Sequence, residues 1–140
     1  MRDHGHAGIE MALAVGVLLL PVALVVTGFG PWSERRVLAE AAAAEAARAA
    51  VLELSLEAGE STMVAVVDGQ GVGPDQIRVG WCGSTPAFSP AGTCPLQRGS
   101  VVSVTVELWT PLVDSPWGPI GGLWVVGEHS EPVDLYRSLG

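Results

Sequence analysis

Residues 5–29 read GHAGIEMALAVGVLLLPVALVVTGF. Across 7–29 the one charged side chain is Glu10. About 23 residues at roughly 1.5 Å each make about 35 Å of helix, enough to cross a hydrocarbon core of about 30 Å. The stretch predicts a transmembrane helix over 6–30, in contact with membrane lipid, with the rest of the chain displayed beyond it. Glu10 is out of place in such a segment, because an acid at mid-bilayer costs about 3 kcal/mol. Its position near one edge lowers that cost. An ordinary signal anchor with Glu10 at headgroup level would accommodate it. A cleavable secretory signal fits less well, since its apolar region runs about 7–15 residues before a small-x-small site, and this run is longer.

Outward from that stretch, residues 1–5 are too short to fold, and Arg2 cancels Asp3 in charge. On the other side, Gly28, Gly30 and Pro31 predict a kink or break at 28–31, and Pro21 a modest bend. Trp32 then falls where an interface favours Trp. Residues 31–59 form an alanine-rich segment of strong helix formers, with Gly59 as its stop. Its expected packing stripe is Val37, Ala41, Ala44, Arg48, Val51 and Ala58, with Leu38, Leu52 and Leu56 beside it.

From residue 60 the pattern reads as alternating. Strands are expected at 62–67, 76–81, 101–109 and 123–130, with a turn at 68–71 and loops at 83–93 and 111–122. Pro132 should end the last ladder or lie on an edge. The fold class is therefore α+β: a long N-terminal transmembrane and amphipathic helix, then a small antiparallel sheet of about four strands over 60–140.

The run Gly5-His6-Ala7-Gly8-Ile9-Glu10-Met11-Ala12-Leu13 is a short polar leader ending in Gly, followed by an apolar helix with Glu at its fifth position. It resembles the processing site of the TadE-like pseudopilins, minor pilin-like proteins of tight-adherence (Flp) pilus systems. Met11 stands where that family usually carries an aromatic. The segment Glu45-Ala46-Ala47-Arg48-Ala49-Ala50 is similar to the family's helix continuation, and the tail at 131–137 to the way many of its chains close.

The resemblance implies several things. A prepilin peptidase removes the leader 1–5 by cutting between Gly5 and His6. The fold is pilin-like, and the partners are other pilins and pseudopilins. Glu10 serves subunit assembly by pairing with a neighbour's terminal amine. The protein is a single-pass protein of the bacterial cytoplasmic membrane with an extracytoplasmic C-terminal domain, able to enter a pilus. The competing class is a single-pass anchored extracytoplasmic binding domain that never joins a filament.

Composition narrows the alternatives. The net charge is −8 and all seven basic residues are Arg. An acidic chain without a basic cluster argues against nucleic-acid binding and against a polybasic grip on anionic lipid. Charge gives topology little support, since Arg35 and Arg36 follow the apolar run. Cys82 and Cys94 read most simply as a disulfide formed in an oxidising compartment, with two reduced thiols as the other state.

No phosphate-binding loop, H-E-x-x-H or G-x-S-x-G motif occurs. The cysteines lack a second pair for zinc. Asp68 and Asp75 read as solvated turn acids, not a calcium loop. His4 and His6 lack further ligands, and His129 with Glu128 and Glu131 reads as surface charge. Trp81, Trp109, Trp117 and Trp124 read as aromatic cover for a thin core. No enzyme activity, cofactor, metal or small-molecule substrate is expected.

Overall fold

The computed structural model describes residues 7–83, 94–115 and 117–135, without the side chains of 7, 24, 27, 28 and 113–115. Helix α1 (Ala7–Glu53) is followed by α2 (Leu56–Asp68), a 3-10 turn at Pro74–Gln76, and strands β1 (Ile77–Trp81), β2 (Val101–Ser115) and β3 (Gly118–Pro132). The strands form one antiparallel sheet in the order β1-β2-β3. The α+β class holds, but with three strands among the described residues, not four.

Of the kink or break expected at 28–31, the break does not occur: helix α1 runs without interruption through Pro21 and Pro31. Proline removes one helical hydrogen bond and costs about 3 kcal/mol in a helix interior. Contacts on both sides of Pro31 hold the turns together. The Ser33 hydroxyl donates to the Gly30 carbonyl at 2.8 Å. Phe29 and Trp32 stack with ring centroids 5.6 Å apart, the Arg36 guanidinium lies 5.7 Å from the Trp32 ring, and Arg36 pairs with Glu40 at 3.1 Å. Such i,i+3 and i,i+4 pairs support the helix where the backbone bond is missing.

A second correction concerns the membrane. Among the described residues, no helix is long and apolar enough to cross a membrane. This overturns the transmembrane span at 6–30 and the single-pass membrane location.

Helix α1 ends at Glu53, not at Gly59. Leu54 takes a left-handed φ of 53°, and the Ser55 amide donates back to the Ala50 carbonyl at 3.1 Å. That is the Schellman pattern, formed here without glycine. Ser55 also starts α2, its hydroxyl accepting from the Ala58 amide at 3.3 Å. The expected strand at 62–67 is therefore helix. Its buried positions are Gly59, Met63 and Val67, spaced four apart.

The buried face of α1 is Ala39, Ala42, Ala43, Ala46, Ala47, Ala50 and Val51. The expected stripe was partly offset: Val51 is buried and Leu38 and Leu56 pack on the core as expected, but Val37, Ala41 and Arg48 are exposed and Ala44 is half-buried. Close approach explains the choice of face. A Cβ on Gly127 of β3 would lie 2.3 Å from the Ala39 carbonyl carbon and the Glu40 nitrogen. A Cβ on Gly59 would lie 2.5 Å from Trp81 and 2.8 Å from the Ala46 carbonyl oxygen. Only an alanine surface admits backbone that near. The other side of the core is Trp81, Val102, Val104, Val106 and Leu108, the inward positions of the sheet.

The loop expected at 111–122 is instead the outer part of a long hairpin, with Pro111 opposite Gly122 and Ser115 opposite Gly118. Aromatic cover holds Gly122 in the ladder. A Cβ on Gly122 would lie 2.2 Å from the Trp109 ring, so that ring fills the missing side-chain space.

Candidate assembly interface

The first half of α1 is apolar on every side, and none of its described side chains up to Gly30 is covered. Ile9 is 68% exposed, Leu13 64%, Val17 66% and Leu20 63%. A helix apolar all round is stable only when something buries it. Glu10 sits in a shallow groove on this surface with Ile9, Leu13, Ala14 and Val17. Helical spacing puts Leu13, Ala14 and Val17 on the side of the helix that carries Glu10. Gly5 and His6, the expected processing pair, and His4 lie outside the described residues.

The disulfide lies at the other end of the domain. Cys82 and Cys94 are bonded, with Cα atoms 5.4 Å apart. The Cys82 amide donates to the Ser103 carbonyl at 2.9 Å, so the bridge ties residue 94 to the end of β1. Trp81 beside it is buried, its indole nitrogen donating to Glu60 at 3.2 Å. Trp81 is thus core, as the sequence suggests.

Three of the four tryptophans expected to cover the core do not share that role. Trp109 and Trp124 meet edge to face on the sheet side away from the helices, centroids 5.4 Å apart. The Arg78 guanidinium lies 3.7 Å from the Trp124 centroid and 3.9 Å from Glu107. Arg78 and these rings line a cleft of about 430 Å³ with Asp75, Gln76 and Pro119. The charge and the aromatic faces satisfy one another within it. Trp117 is 94% exposed at the hairpin end.

A second cleft, about 410 Å³, lies between α2 and β1, with Met63, Val72 and Val79 among its lining and Glu60 and Asp68 beside them. His129 pairs with Glu131 at 3.2 Å. Among the described residues no cluster of three or more His, Cys, Asp or Glu is arranged to hold a metal ion.

Sequence reasoning missed the exposed apolar end of the hairpin, where Leu112 is 57% and Ile120 61% exposed. The signal was present as apolar residues among the prolines and glycines of 111–122, which read as loop punctuation. No family model matches the chain, and neither curated proteins nor solved structures show a match to it.

Proposed function

We propose that the chain is a non-enzymatic assembly subunit: a minor pilin or pseudopilin of the TadE-like kind, taking part in a tight-adherence pilus. The observation that carries this reading is the first half of α1, apolar on all sides and bearing a single acid. Such a surface is buried by the equivalent helices of neighbouring pilins. Glu10, exposed at its edge, then meets the terminal amine that a prepilin peptidase creates by cutting between Gly5 and His6. Out of water the two charges need each other, since an unpaired buried charge is costly. The domain from Ala39 onward carries its own core and rides on the helix.

Mass spectrometry of the mature N-terminus in the native host tests this. The expected first residue is His6, and a bulky replacement of Gly5 should leave the uncut chain. A mature protein that keeps Met1, or begins after Gly28, would overturn the pilin reading and favour a binding domain outside any filament.

A further inference from the structure

Strand β1 ends the sheet on one side, with β2 as its neighbour on the other. Its register, and the bond from the Cys82 amide to the Ser103 carbonyl, fix which of its backbone groups are paired. Bonded and unbonded pairs alternate in an antiparallel ladder. Arg78 and Gly80 therefore bond across to Glu107 and Thr105, while Ile77 and Val79 turn their backbone N–H and C=O to the outer edge. Among the described residues the Val79 groups meet no partner there. An unpaired edge is a template for one more strand.

The cleft of about 410 Å³ between α2 and β1 borders this edge. Ile77 and Val79 form one wall, and Glu60, Val64 and Asp68 of α2 the other. These three α2 residues stand four apart, so they make one stripe along the helix with an acid at each end. Val64, between the acids, is 48% exposed. The Glu60 carboxylate accepts from Trp81 through Oε1 at 3.2 Å, which leaves Oε2 for a further donor. Helix and strand run in opposite directions, because Trp81 at the end of β1 meets Glu60 and the chain returns from Asp68 to Ile77 through residues 69–76. From Glu60 to Asp68 is about 12 Å of helix, and four steps of a strand cover about 13 Å. A strand added to β1 thus sets its side chains i, i+2 and i+4 against one acid, Val64 and the other acid.

Charge and spacing select the occupant. Two carboxylates and no basic residue line the cleft, in a chain of net charge −8. Their complement is a Lys or Arg, an apolar residue two positions on, and a second Lys or Arg two positions beyond that. This chain does not supply it, since it has no Lys and no two of its seven Arg stand four apart. The segment that fits belongs to another protein.

We propose that β1 and its cleft capture an extended basic–apolar–basic segment of a partner protein, which joins the sheet as a further strand. The capture is independent of how the first half of α1 is buried. The test uses the full chain, disulfide intact, in mild detergent, with the peptide acetyl-Thr-Thr-Lys-Thr-Val-Thr-Lys-Thr-Thr-amide as probe and amide hydrogen exchange read by NMR. Without peptide the Val79 amide should exchange fast and the Gly80 amide slowly. Saturating peptide should slow Val79 severalfold and leave Gly80 unchanged. Asp68→Lys puts a cation at the C-terminal end of α2, where the helix dipole favours it. It should spare the fold and weaken binding about fivefold, the scale of an exposed ion pair, and exchanging one peptide Lys for Glu should restore the affinity. The proposal falls if the peptide does not bind, or if Val79 is already protected in the free chain. It falls equally if a peptide with its two Lys adjacent, or one N-methylated along its backbone, binds as well as the probe. Protection of Val79 that grows with protein concentration alone would make a second copy the occupant and overturn the proposal too.

Discussion

Gly127 shows how much one hydrogen atom in place of a side chain can decide. Its missing Cβ leaves the gap through which β3 touches the backbone of α1 at Ala39 and Glu40. Backbone cannot swing aside as a side-chain tip can. Gly127→Ala should therefore lower stability by about 1–3 kcal/mol, the usual cost of overpacking. A lower urea midpoint at unchanged slope is the expected observation. Ser55 links the two helices, and Ser55→Ala should cost about 1 kcal/mol by removing the α2 cap, seen in the same titration. Glu10 is different in kind. It is exposed, so Glu10→Ala should leave the unfolding midpoint unchanged and, under the proposed function, abolish co-purification with partner pilins. A shifted midpoint would assign Glu10 to the fold instead.

At the scale of elements, one disulfide ties residue 94 to the end of β1. The Cys82–Cys94 bridge closes a segment with a sequence separation of 12. In the chain-entropy account a loop of that size is worth about 3 kcal/mol, a large share of the roughly 5–15 kcal/mol that holds a small domain. Cys82→Ser with Cys94→Ser should lower the melting temperature by several degrees or more. An unchanged melting curve would show that the bridge is ornamental to stability. Helix α2 was the element hardest to read. Thr62, Val64 and Val66 alternate with Met63, Ala65 and Val67, which suits a strand. Burial of Gly59, Met63 and Val67 against α1 and Trp81 made it a helix. Tertiary contact overrode a weak local preference.

The whole molecule divides into a part with a core and a part without one. Among the described residues, every buried hydrophobic side chain lies at Ala39 or beyond. A chain beginning near Trp32 should therefore fold, melt within a few degrees of the full chain and remain monomeric in sedimentation. Failure of that fragment to fold would mean that the apolar half-helix supports the domain as well as the assembly.

The alanine run and the apolar run by themselves determined helix on either side of 28–31, because helix propensity acts locally. The alternation at 101–109 likewise determined β2, since one face needed a core and the other did not. The cysteine pair was legible for a similar reason: two thiols a short loop apart have few other uses. Only the tertiary structure decided which alanine face is buried, because that depends on where Gly127 and Gly59 come close. It also decided that Pro31 sits inside a helix and that 111–115 and 118–122 are strand, since stacked Trp32 and Arg36 and the Trp109 ring over Gly122 supply what the local sequence withholds. An apolar stretch determines that its side chains leave water; what covers them is set by the surfaces that meet it.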